Sequence, residues 1–213
     1  MAKLNFGIFG PLSGKLGALV GGTWKGIPYI KKVADYRKGR PRTPAQLANE
    51  AKFKYVNDWL IPFHPFVSIG FENLAMKSTA VSVAFSKIYN TVFSGIAPDL
   101  IVDYSQMVIS AGPLTVLGDP EIVFTSQDTI QVTWKKNSGK GSHFDDQVMV
   151  ALYSPKFKSI DGFIGTVNRS AEQYSYTIGQ ELIDTPLHAY IGVASLNRKQ
   201  ISNSQYLGEL MPL

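Results

Sequence analysis

The residues in this chain that could do chemistry are few. His143 stands two positions before Asp145-Asp146, the one place where an imidazole and carboxylates lie close in sequence. Such a trio could hold a divalent metal or act as an acid–base pair. The polar run Asn137-Ser138-Gly139-Lys140-Gly141 just ahead of it points instead to a solvated hairpin tip. His64 is flanked by Pro62 and Pro65 in an aromatic turn, and His188 precedes a core strand. Gly10 to Lys15 invites comparison with a phosphate-binding loop, but its two glycines are one residue too close and Leu16 stands where a metal-binding hydroxyl is required. Nucleotide binding at that loop is excluded on both counts. No nucleophile elbow and no paired-histidine zinc helix occurs. Asn168-Arg169-Ser170 has the form of a glycosylation acceptor and reads as a polar turn. The absence of cysteine removes disulfides and thiolate metal sites. No catalytic, cofactor or metal residue is assigned, and the expectation is a protein that is not an enzyme.

What the chain does offer is charge. Lys31, Lys32, Arg37, Lys38, Arg40 and Arg42 fall within about a dozen residues, with Asp35 the one acid among them. Up to Leu60 there are eleven Lys and Arg against three acids, about +8, which leaves about −3 for the rest of a chain whose net charge is +5. Interleaved with Tyr29 and Tyr36, this window could neutralise phosphates and stack on bases, giving salt-dependent nucleic-acid binding. It could equally be a solvated linker, or dock on the acidic patch of a neighbouring subunit.

The elements that position these residues begin with a glycine-rich leader. Gly7, Gly10, Gly14, Gly17 and Gly21 recur at helical spacing, yet glycines in a helix interior cost about 1 kcal/mol each relative to alanine and Pro11 would interrupt the ladder. Loops and short strands are expected instead, with a hairpin of Leu16–Val20 and Trp24–Val33 turning at Gly21-Gly22. Gly14, Gly17, Gly21, Gly22 and Trp24 form the candidate assembly arm, although Trp24, Trp59 and Trp134 each read first as core residues.

A helix should start at Thr43, with Thr43 as N-cap, Pro44 in the first turn and Gln46 completing a capping box. Ala48, Ala51, Tyr55 and Trp59 line one side with Phe53, Val56 and Leu60 beside them, and Pro62 ends it. Between Ser68 and Asn90 helical and alternating patterns conflict, Leu100–Ile109 reads as a strand, and Ala111-Gly112-Pro113 as a boundary. Seven strands follow: Glu121–Phe124, Thr129–Trp134, Gln147–Ser154, Gly165–Asn168, Gln173–Ile178, Ala189–Ala194 and Gln205–Leu210. That many short strands in about a hundred residues predict a β-sandwich.

Two resemblances sharpen this. Ile130-Gln131-Val132-Thr133-Trp134 resembles the second strand of a fibronectin type III domain with Trp134 as its core tryptophan, and Tyr190–Ala194 with Ser202-Asn203-Ser204 resembles its sixth strand and the following turn. Gly14-Lys15-Leu16-Gly17, Gly22-Thr23-Trp24-Lys25-Gly26 and Pro41-Arg42-Thr43-Pro44-Ala45-Gln46 with Lys52-Phe53 are similar to a Bacteroidota family known as a domain of unknown function, which implies an immunoglobulin-like C-terminal end and no particular activity.

The expectation is therefore an α+β chain: a Gly-rich basic leader over 1–42, a helical or mixed region over 43–112, and a fibronectin- or immunoglobulin-like β-sandwich over 113–213. Its expected role is structural, with the leader joining subunits of a homo-oligomer or larger assembly and the sandwich making protein contacts. Nucleic-acid binding through residues 31–42 is the alternative. No cofactor and no membrane insertion are expected, since the leader's glycines, Pro11 and Lys15 make a poor spanning helix. The start of the chain lacks the pattern of a secretory signal, so it is expected in the cytoplasm or exported as part of an assembly.

Overall fold

The computed structural model describes residues 3–4, 10–33, 41–137, 139 and 141–213. The chain divides into two compact units, residues 1–43 and residues 44–213.

The N-terminal unit is an antiparallel meander of β1 (Lys3–Leu4), β2 (Leu12–Leu16), β3 (Leu19–Trp24) and β4 (Ile27–Lys32), paired in that order. The expected turn at Gly21-Gly22 is corrected: both glycines lie inside β3, and the chain reverses at Gly17-Ala18 and at Lys25-Gly26. Lys25 and Gly26 both have positive φ, 47° and 80°, as a tight two-residue hairpin turn requires. Gly21 is a glycine for a different reason, because a Cβ there would run into the Leu12 carbonyl oxygen.

The second unit begins with α1 (Pro44–Leu60), whose start and end agree with the capping and proline signals. Only its second half is covered: Val56, Trp59 and Leu60 are buried, whereas Phe53 and Tyr55 remain exposed. A short 3-10 turn over Ile61–Phe63 leads directly into α2 (His64–Gly70), so Pro62 and Pro65 begin helical turns where an aromatic turn was expected. The conflict between periods after Ser68 resolves as α3 (Ala80–Ile88), started by Thr79, whose hydroxyl accepts from the Ser82 amide at 3.1 Å. The strand expected over Leu100–Ile109 is instead half of a hairpin, β5 (Phe93–Ile96) with β6 (Asp99–Val102), followed by a 3-10 turn at Tyr104–Gln106.

Seven strands complete the unit: β7 (Gly118–Phe124), β8 (Thr129–Lys135), β9 (Gln147–Ser154), β10 (Ser159–Asn168), β11 (Gln173–Thr177), β12 (Leu187–Ala194) and β13 (Gln205–Leu210). They form two antiparallel sheets, β11-β8-β7 and β10-β9-β12-β13. The first, second and fifth strands thus face the fourth, third, sixth and seventh, the strand order of a fibronectin type III sandwich. The α+β architecture expected from the sequence is the one found.

The core lies between the sheets. In β8 the residues alternate, with Ile130, Val132 and Trp134 turned inward. β9 and β12 do not alternate; nearly every residue is buried. Their inner faces supply Val150, Leu152, Ile191 and Val193 to the sandwich, while Tyr153 and Tyr190 on the outer face pack with Trp59, Phe63 and Phe93 from the helical layer. A strand covered on both sides reads as a continuous apolar run.

Candidate functional site

The N-terminal sheet presents two chemically different faces. In antiparallel pairing, residues directly opposite share a face and successive residues alternate. Leu16 pairs with Leu19 and Leu19 with Lys32, while Gly14 pairs with Gly21 and Gly21 with Ile30. One face therefore carries Leu12, Leu16, Leu19 and Ile30, edged by Lys32. On the other, Lys15 pairs with Val20 and Val20 with Lys31, and Trp24 pairs with Ile27. The Lys31 ammonium lies 5.9 Å from the Tyr29 ring centre, and Tyr29 covers Gly22, where a Cβ would come within 2.9 Å of the ring. That second face is cationic and aromatic.

Among the described residues neither face is covered by a core. Leu12 is buried against Gly21, but Leu16, Leu19, Trp24, Ile27, Tyr29 and Ile30 are all exposed, Trp24 to 55%. The expectation that Trp24 is a core residue is corrected; Trp59 and Trp134 are buried as expected. A shallow recess lined by Gly10, Pro11, Leu12, Pro28, Tyr29 and Ile30 lies at one end of the sheet.

The basic window is only partly described. Lys31 and Lys32 are neighbours in β4 and so fall on opposite faces, which separates them as a contact pair. Arg42 is exposed ahead of α1. Arg37, Lys38 and Arg40 lie outside the described residues. Of the candidate arm residues, Gly14, Gly21 and Gly22 sit within strands and Gly17 at a turn with φ of 56°.

His143, Asp145 and Asp146 line one open recess together with Ser195, Leu196 and Asn197, but the Asp146 carboxylate is committed to internal partners. Asp146 is fully buried, which corrects the expected solvated tip: its Oδ2 accepts from Arg169 Nε at 3.1 Å and from the His143 amide at 2.9 Å. Arg169, assigned to a polar turn by the sequence, is only 2% exposed. Its guanidinium also donates to Asn137 Oδ1 at 2.7 Å and to the Thr115 carbonyl at 2.6 Å, and its own carbonyl accepts from Trp134 Nε1 at 2.8 Å. Burial pulls the guanidinium below its ordinary pKa while the Asp146 carboxylate opposes that shift. The group is a buried ion pair that joins strand ends. Among the described residues no set of three His, Cys, Asp or Glu is placed to hold a metal ion.

A second aromatic cluster surrounds His188. Its ring stacks on Tyr104 at 4.0 Å between centres, and its Nδ1 lies 2.9 Å from the Tyr206 hydroxyl. Burial pushes the imidazole below its ordinary pKa, opposed by Glu209 across the strand pair. A recess lined by Tyr55, Asp58, Trp59, Pro62 and Lys158 opens at the end of α1. Among the described residues no helix is long and apolar enough to cross a membrane.

Solved structures similar to this chain include the chicken CNTN1 FN1–FN3 domains, 14% identical with a TM-score of 0.36, covering 56% of this chain and 36% of that one. The fn3 domain of human contactin 1 is 12% identical with a TM-score of 0.34, covering 49% and 83% respectively. The chain thus spans little more than a third of the chicken structure's length. No curated protein matches it. The model of the family of unknown function DUF6266 matches residues 11–208, and the chain belongs to that family.

Proposed function

We propose that this protein is a non-enzymatic structural or assembly protein whose N-terminal sheet makes contacts between subunits, with the β-sandwich mediating protein contacts. The observation that supports this is the apolar surface of the N-terminal sheet. Of its large apolar side chains within residues 10–33, Leu12 alone is buried and six are exposed. A small sheet needs a covered hydrophobic face to be stable, and clustered apolar surface marks a contact site. Removing residues 1–42 tests the proposal, because residues 44–213 hold their own apolar cores. The truncated protein should be a folded monomer by light scattering, whereas full-length protein assembles. The same number of subunits in both proteins would end this reading.

The second reading, nucleic-acid binding, is favoured by Lys15, Lys31, Tyr29 and Trp24 sharing one face. Alanine at Lys15 and Lys31, together with Arg37, Lys38, Arg40 and Arg42, should then lower the salt dependence of retention on single-stranded DNA or RNA. An unchanged salt slope would remove it.

A further inference from the structure

The recess at the end of α1 is walled by two elements far apart in sequence. Asp58 and Trp59 stand three and four positions after Tyr55, so all three share one face of the last turns of the helix. Pro62 continues that wall from the following 3-10 turn, and Lys158 reaches it from the tip of the β9–β10 hairpin, where its φ is 52°. The hairpin is fastened to the helix end: Tyr153, near the end of β9, pairs with Ile160 of β10, and its ring lies 5.3 Å from that of Trp59. The core beneath the recess therefore holds its walls in place.

The lining combines apolar surface with one charge of each sign. Tyr55, Trp59 and Pro62 supply aromatic and apolar walls, while Asp58 and Lys158 are exposed. Although these two line the same recess, no ion pair joins them, and among the described residues neither has another partner. Both charges are thus open to a third molecule. A simple cation would be attracted by Asp58 and repelled by Lys158, and a simple anion the reverse; a molecule carrying both charges is attracted at both ends. The cavity, about 200 Å³, is smaller than the roughly 300–1,000 Å³ of pockets for drug-sized ligands, so that molecule is small.

We infer that this recess binds a small zwitterion with an apolar body, the chemistry of a free amino acid with an aromatic or aliphatic side chain. Its ammonium sits on Asp58, its carboxylate on Lys158, and its side chain against Tyr55, Trp59 and Pro62. The site lies wholly within residues 44–213 and needs no second copy, so it stands or falls separately from the assembly reading.

Three probes and two variants test this in the full-length chain by saturation-transfer NMR titration. L-phenylalanine carries both charges, phenethylamine the ammonium alone and 3-phenylpropionate the carboxylate alone. L-phenylalanine should bind about tenfold more tightly than either of the others, the effect of one charged hydrogen bond. Lys158→Gln should weaken L-phenylalanine about tenfold and leave phenethylamine no weaker; Asp58→Asn should weaken it as much and leave 3-phenylpropionate no weaker. Both side chains are exposed, so the variants keep their fold. The inference is overturned if L-phenylalanine gives no saturation transfer, if the three probes bind equally, or if both variants bind L-phenylalanine like the unmodified protein.

Discussion

The Phe63 ring lies 4.8 Å from the Tyr153 ring, one from the turn between α1 and α2 and the other from the outer face of β9. Phe63 is fully buried, stacks on Trp59 at 4.7 Å and meets Tyr190 edge-on at 6.3 Å. The helical layer and the four-stranded sheet therefore share an aromatic core, and they should unfold together.

Phe63→Ala should accordingly destabilise the whole of residues 44–213 by about 3–5 kcal/mol, the range for a buried phenylalanine. Urea unfolding followed by far-ultraviolet dichroism and by tryptophan fluorescence should give a single coincident transition at a lower midpoint. Two separated transitions would show that the layers fold independently.

Arg169→Ala should cost a similar amount, about 3–5 kcal/mol, because it leaves the Asp146 carboxylate buried without its cation. Pairing Arg169→Met with Asp146→Leu should recover part of that loss. If Arg169→Ala alone leaves the urea midpoint unchanged, the ion pair has no structural role.

His188 makes acid destabilising. Its folded pKa is depressed by burial, so on lowering the pH the unfolded chain takes up the proton first. Stability at this site is full above the ordinary histidine pKa and declines as the pH falls below it toward the folded value. His188→Gln should flatten the fall in melting temperature between neutral pH and about pH 5. An unaltered slope would place the acid sensitivity elsewhere.

The two central glycines of β3 should respond differently to alanine. At Gly21 the new methyl meets the Leu12 backbone, which is itself paired with Leu4 of β1, whereas at Gly22 it meets the far end of the Tyr29 side chain. Gly21→Ala should therefore abolish assembly, and Gly22→Ala should reduce it by less. Equal behaviour in light scattering would argue against the β2–β3–β4 meander.

Tyr176 donates to Asp161 Oδ1 at 2.7 Å, and burial with that carboxylate pushes its hydroxyl up to about 12. The unfolded chain then loses this proton first as the pH rises past the ordinary tyrosine range, so stability falls between about pH 10 and the folded value. Tyr176→Phe should remove that component, read as a smaller loss of melting temperature above pH 10.

The sequence alone determined the elements whose signals are local. Thr43, Pro44 and Pro62 bracket α1 because capping and the missing proline N–H act within one helical turn, and the alternation of Ile130, Val132 and Trp134 marks a strand with one covered face. Tertiary structure decided the rest. Gly21 and Gly22 look like a turn until the Leu12 backbone and the Tyr29 ring are packed beside them. Arg169 looks like a surface residue until its partners, Asp146, Asn137 and Thr115, arrive from 23 to 54 positions away. The unbroken apolar run of β9 has its cause in helices far off in sequence that cover the sheet's second face. The division of the leader into an apolar and a cationic face depended on register, since a shift of one residue would exchange the two, and register is fixed by which strands pair and not by composition.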